Sequence, residues 1–505
     1  MPEMKVPLIK GALWIVSSRV FTGALGFVST LVLARVLVPA DFGLVALASS
    51  VAMVLGTITD LSTSQALVQN DTLEEDDFHT AWTLGLMRAF LVGLLIAGFS
   101  YPIASFYGDE RLTNVMLVLA GSAFIGGISN PKLIVFERNL VFWQVTILNC
   151  LDKLSGFIIS VTLAIAFRSY WALIAGIVAS QSVRFLLSYA FMPYRPRLSL
   201  SKYRGLLSFS VWLTLGGWVR SLNSQADPLV LGYFVSPSLL GIYTMGGRIP
   251  TMTIGQIQGP VAQALFPAFS RIKGDQLRLQ QAYRRAQALL CTIVFPAGAG
   301  VAVLAEPSIA LLLGDKWLPT VPLIQVLAIL AALQAMYHSQ PMAMAVGKTR
   351  DLFYRDTMLF VARAPLLLGG IIIGQATTIG VLMGAVIGRA IASLVSARLN
   401  MSLIRKSCGL SIWLQLSGCI KPSFNSLVMV GSMFIMWEPI RSLVGLEVLF
   451  LALMIFNGLI SYLIITYILW FVTGRPHGPE SELVSLWRAL ATKLRLRRVT
   501  FGRTF

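Results

Sequence analysis

The sequence predicts an all-α integral membrane protein of about fourteen transmembrane helices, and three observations lead there. The 505 residues are 56% hydrophobic and only 12% charged, whereas soluble globular domains carry about twice that share of charge. Apolar runs of twenty or more residues recur along nearly the whole chain, and about twenty suffice to cross a bilayer core. No run shows the ten-residue alternation of outer-membrane strands. A set of soluble domains and an outer-membrane barrel are thereby excluded.

The elements follow in order. A first apolar run starts near Lys10 and exceeds twenty residues, too long for the short apolar core of a cleaved signal, so it reads as a retained helix at 11–36. Five more helices are expected near 42–67, 80–106, 112–136, 140–167 and 170–193. A second set of six follows near 205–233, 239–269, 281–313, 320–346, 352–374 and 376–404, with Pro250 expected to interrupt a backbone bond in the second of them. Two more lie near 421–440 and 445–472. The organisation expected is an N-lobe at 1–199, a C-lobe at 200–410, accessory helices at 411–474 and a basic tail at 475–505. In that tail Leu483, Trp487, Leu490 and Leu494 share one helical face beside Lys493, Arg495, Arg497 and Arg498, the pattern of a helix lying on anionic lipid.

Lys and Arg placement sets the orientation. With the N-terminus inside, 27 of the 40 basic residues fall at cytoplasmic ends and loops. Five fall opposite (Arg35, Arg111, Arg168, Lys316, Arg441), and eight lie within spans. Both termini are therefore expected in the cytoplasm. Net charge of +18 reflects these edges and makes no case for nucleic acid.

A repeat is legible as well. LVLARVLVPADFGLVALA (31–48) aligns without a gap on LVLGYFVSPSLLGIYTMG (229–246), sharing Leu-Val-Leu, Pro39 with Pro237 and Gly43 with Gly241. Both copies join an outward helix to a returning one. This is the mark of parallel repeats related by an axis along the membrane normal, with a cleft between two similar lobes.

The intramembrane charges are the candidate site. Eight are basic (Arg19, Arg88, Lys153, Arg184, Arg220, Arg248, Arg363, Arg389) and three acidic (Asp60, Asp152, Asp227). Each costs about 3 kcal/mol at the bilayer centre on the lenient insertion scale, so most must line a wet cavity, pair, or snorkel. Helical spacing gathers Arg19, Thr22, Gly26 and Thr30 on one face; Met53, Gly56, Asp60 and Ser64 on another; Thr214, Gly217, Arg220, Ser224 and Asp227 on a third. Thr244, Arg248, Thr251, Gly255 and Gln258 make a fourth. The excess of about +5 suits a phosphate-bearing cargo, because guanidinium donors match phosphate oxygens. Arg19, Arg220 and Arg248 are the foremost candidates for binding it, followed by Arg88, Arg184, Arg363 and Arg389. Asp60, Asp152, Asp227 and Lys153 are candidates for ion or proton coupling, or for holding an arginine in place.

Cys150, Cys291, Cys408 and Cys419 have no CxxC spacing and the three histidines are scattered, so no disulfide frame, metal site or other cofactor is expected. AVGKTR (345–350) imitates a phosphate loop, but Met342 stands where that motif requires glycine, and ATP is not expected as the direct energy source. The competing readings are a drug or metabolite exporter and a membrane polymerase or ligase. The outer loops, near VPAD, YGDE, VSPS and GDKW, are short for the latter.

The opening GALWIVSSRVFTGALGFVSTLVLARVLVPADFGLVALA, with ALFPAFSRI (264–272) and GDKW (314–317), resembles the bacterial Wzx-type polysaccharide flippases of the multidrug/oligosaccharidyl-lipid/polysaccharide exporter superfamily, in their colanic-acid and succinoglycan exporter branch. The likeness runs to about residue 474. It implies a two-lobed bundle like those of the lipid II flippases and multidrug exporters, opening alternately to either side. It implies an undecaprenyl-pyrophosphate-linked repeat unit as cargo, moved to the periplasmic leaflet of the inner membrane, and a polysaccharide polymerase and export machinery as partners. By helix position it implies Arg19 and Arg248 as pyrophosphate-binding arginines, and helices thirteen and fourteen as accessory or as a lipid-facing groove.

Overall fold

A computed structural model describes residues 5–60, 67, 73–139, 141–203 and 211–474. The expected interfacial tail at 475–505 lies outside the described residues, as do Ser64 and Arg204. The long helices are α1 (Lys5–Val36), α2 (Pro39–Ile58), α3 (Glu75–Tyr107), α4 (Arg111–Gly127), α5 (Phe142–Phe167), α6 (Trp171–Phe191) and α7 (Val211–Phe234). They continue as α8 (Pro237–Arg271), α9 (Gln276–Val303), α10 (Val321–Leu333), α11 (Thr349–Ala376), α12 (Val381–Cys408), α13 (Ile412–Leu443) and α14 (Glu447–Val472). Among the described residues there is no strand.

Local chemistry sets the ends. Pro39 opens α2, where a missing N–H costs nothing, and the Asp41 carboxylate accepts the Val38 N–H at 3.2 Å. Asp77 does the same for Glu74 at 2.9 Å on α3, Asp275 caps α9, and Ser411 caps α13. Gly108 ends α3 in the left-handed region. The expected ninth helix at 281–313 divides. α9 stops at Val303 and a short helix, Ala305–Leu312, follows; Pro307 cannot supply an N–H to continue the ladder. The tenth is interrupted by a 3₁₀ turn at Gln334–Tyr337. Pro250 does not end its helix: α8 runs unbroken for 35 residues.

Eleven segments are long and apolar enough to span a bilayer, among the described residues. α4 has 17 residues, one short of that length. α7 and α8 miss the apolar standard because they carry residues such as Arg220, Asn223, Gln225 and Asp227, or Arg248, Gln256 and Gln258. Length and composition alone therefore support eleven of the fourteen expected spans, and those two exceptions carry much of the site. Large apolar side chains such as Leu427, Phe434, Ile435, Val448 and Phe456 are exposed on α13 and α14, which a bilayer explains and water does not.

The chain forms two compact units, one comprising Met1–Met252, Leu312–Leu323 and Thr349–Val395, the other Thr253–Leu311, Ile324–Lys348 and Ser396–Phe505. In the first, α5 packs along α6 and α1, α3 along α4, and α7 along both α2 and α11. In the second, α9 packs on α13 and α13 on α14, around Met429, Met433, Phe450 and Met454.

The repeated motif touches its own copy. A Cβ on Gly43 would collide with the Pro237 carbonyl, and a Cβ on Gly241 with the Pro39 carbonyl. The first turns of α2 and α8 thus cross backbone to backbone in a reciprocal, two-fold-like contact that glycine alone permits. The GDKW segment closes the same junction. Lys316 Nζ donates to the Arg35 and Leu37 carbonyls at 2.9 and 2.7 Å, and Trp317 Nε1 to the Ala34 carbonyl at 2.8 Å. The Ala34 and Arg35 carbonyls belong to the last turn of α1 and the Leu37 carbonyl follows it, so none has a helical partner. Trp317 is fully buried and meets Phe42 edge to face, ring centroids 5.3 Å apart.

Candidate functional site

A cavity of about 750 Å³ lies within the first unit. Its walls come from both chain halves: α1, α2, α5 and α6 from the first, α7, α8, α11 and α12 from the second. Small and hydroxylated side chains dominate several faces, among them Gly26, Ser29, Ser49, Ser50, Ser160, Ser180 and Thr251. Four cations open onto it: Lys153 from α5, Arg248 from α8, Arg363 from α11 and Arg389 from α12. One acid does, Asp227 from α7, so the lining is net +3.

Asp227 is buried and has both oxygens engaged. Arg363 donates Nη2 and Nε to Oδ1 at 2.6 and 3.2 Å, while Arg389 Nη1 and the Tyr243 hydroxyl donate to Oδ2 at 2.9 and 3.0 Å. The two arginines converge because α11 and α12 touch backbone to backbone at Gly370 and Gly384. Arg248 and Lys153 differ. Neither makes an ion pair or a side-chain hydrogen bond among the described residues, and both are accessible at the wall.

The other candidates lie apart from this lining. Arg220 Nη1 donates to Asp356 Oδ2 at 3.2 Å, and Arg355 Nη2 donates to the same carboxylate's Oδ1 at 2.5 Å. Arg184 donates to Asn149 at 2.9 Å and to Asp152 at 3.0 Å. Arg88 donates to the Gly56 carbonyl at 2.9 Å and stands 3.6 Å from Asp60, whose side chain is half exposed. Arg19 is on α1, seven residues before the lining residue Gly26. Two helical turns place it on the same face, roughly 10 Å along the axis.

Sequence reasoning missed Asp356, Arg355 and Tyr243, although one signal was present. Arg220 and Asp227 stand seven apart on α7, Asp356 and Arg363 seven apart on α11, with the signs reversed. Two helices running in the same direction then pair at both levels, Arg220 with Asp356 and Asp227 with Arg363.

A bundle of apolar helices around a hydroxyl-lined, cationic hollow is suited to admitting an anionic solute into a membrane. The profile of a family described as polysaccharide biosynthesis protein matches residues 32–322, more than half of the chain. The chain belongs to this family. Among its relatives, the succinoglycan biosynthesis transport protein ExoT of Rhizobium meliloti is 27% identical over 63% of this chain and 64% of its own length. The lipopolysaccharide biosynthesis protein WzxC of Escherichia coli K12 is 23% identical over 82% of this chain and 85% of its own. In fold the chain is similar to the lipid II flippase MurJ in an inward closed conformation, with a TM-score of 0.69, 17% identity, and coverage of 92% of this chain and 99% of that one. The polysaccharide biosynthesis family member described here is thus a multi-pass membrane protein, all-helical among the described residues and similar in fold to that flippase.

Proposed function

We propose that the protein is a flippase for undecaprenyl-pyrophosphate-linked oligosaccharide repeat units. It moves them from the cytoplasmic to the periplasmic leaflet of the inner membrane by alternating access, for assembly into an extracellular polysaccharide. The observation that carries this reading is the cavity: four cations against one acid, lined by hydroxyls, inside helices otherwise apolar. Cations without counter-charges are costly at membrane depth and persist where a ligand needs them. Arg248 offers the planar fork that fits a phosphate, and the serine walls suit a sugar's hydroxyls. Relatives named for succinoglycan transport and lipopolysaccharide biosynthesis support the same class of cargo.

In this reading both termini are cytoplasmic, the halves at 1–199 and 200–410 act as the two moving lobes, and a polymerase receives the flipped unit outside. The driving force is not ATP hydrolysis by this chain. The deciding experiment deletes the gene and follows the undecaprenyl-linked intermediate. Complete repeat units should accumulate, protected from a periplasmic glycosidase, and Arg248→Gln should fail to restore export. Normal polymer outside the cell in the deletion strain would sink the assignment.

A further inference from the structure

The four cations of the cavity are not equivalent. Arg363 and Arg389 converge on Asp227 at 2.6 and 2.9 Å, and Tyr243 occupies the carboxylate further. Arg248 and Lys153 line the same hollow with no such partner among the described residues. A carboxylate and a phosphate present similar oxygens to a guanidinium. An anion in this cavity therefore competes with Asp227 for one pair of cations and finds the other pair open.

We propose that Asp227 is a built-in counter-anion, a positioning residue that withholds Arg363 and Arg389 and so confines the cargo's diphosphate to Arg248 and Lys153. The inference rests on the flippase reading above and assigns its charge selectivity. A diphosphate joined to lipid at one end and sugar at the other carries two negative charges, one for each open cation. The arrangement favours release as well as capture: a carrier site must bind well enough to load and weakly enough to empty. Four open cations would hold the same headgroup too tightly to turn over.

The test uses the full-length protein in lipid nanodiscs with two probes. One is farnesyl diphosphoryl glucose, carrying two charges, and the other is farnesyl phosphoryl glucose, carrying one. Wild type should prefer the first by at least tenfold. Arg248→Gln and Lys153→Gln should each weaken its binding tenfold or more, whereas Arg363→Gln and Arg389→Gln should weaken it only about threefold. Asp227→Asn should bind at least fivefold more tightly and release more slowly, with Asp227→Glu restoring wild-type behaviour.

Equal losses at all four cations, or a folded Asp227→Asn that binds no better than wild type, would overturn the proposal while leaving the flippase reading intact. An Arg248→Gln protein that binds both probes like wild type would remove the basis of both. Should Asp227→Asn fail to fold, the ranking of the four cation variants decides alone.

Discussion

The junction at Pro39 and Pro237 and the cavity wall around Arg248 share helices α1, α2 and α8, yet they treat polar groups in opposite ways. At the junction the end carbonyls of α1 are met by Lys316 and Trp317, and backbones touch without space between them. At the wall Arg248 and Lys153 make no ion pair or side-chain hydrogen bond among the described residues, although Asp152 lies next to Lys153 in the chain. A closed, satisfied region is what stability selects. An under-satisfied one costs free energy, and the cost is intelligible only if something else binds there.

Substitutions can sharpen or break this contrast. The largest effect is expected at Asp356, which resembles Asp227 in holding two arginines but does not line the cavity. Asp356→Asn takes the shared carboxylate charge away from Arg220 and Arg355 and should cost about 3 kcal/mol, with no gain in diphosphate affinity. A gain would mean that its arginines also reach the ligand.

Next come Gly43→Ala and Gly241→Ala. Each sets a methyl group against a backbone carbonyl, and overpacking of this kind costs about 2 kcal/mol. Gly56, whose Cβ position is open, is the control; alanine there should be neutral or stabilise by up to about 1 kcal/mol. Thermal unfolding of the three variants in one detergent separates the cases. Equal values would show that the crossing of α2 and α8 is looser than its geometry.

The smallest effect concerns pH. Hydrogen bonds from Arg111 hold the Asp109 carboxyl below the ordinary carboxylate value despite its partial burial. A lowered folded pKa contributes stability above the unfolded value near 3.8 and loses it as pH falls through the folded one. Arg111 is about half exposed, and solvent screening on its side should keep the contribution under about 1 kcal/mol. Arg111→Gln should flatten the stability profile below about pH 4, and an unchanged profile would count against the pair. Arg248→Gln belongs at the far end of this scale: melting close to wild type, with export lost.

Much of the helical fold was legible because apolar runs, proline and capping residues act locally. The repeat was legible too, but not its reason. Gly43 and Gly241 are alike because each copy packs on the other, a contact between residues 198 apart. The candidate charges were visible as charges. Their sorting into open and occupied was not, since it depends on which helix faces which. Arg363 and Arg389 read as cations within two different spans, and only the packing of α7, α11 and α12 brings them to Asp227. Asp356 went unnoticed among the polar residues opening α11, although its mirrored spacing with Arg363 was written in the chain.

That mirrored spacing bears on how the protein is made. α7 leaves the ribosome bearing Arg220 and Asp227, whose partners Asp356 and Arg363 follow 136 residues later. At about 10 residues per second the helix waits on the order of 10 s for its counter-charges. A segment too polar to settle alone in lipid must meanwhile linger beside the insertion machinery or a neighbouring helix. Full pairing of α7 then waits for α11 and α12, which bring Asp356, Arg363 and Arg389.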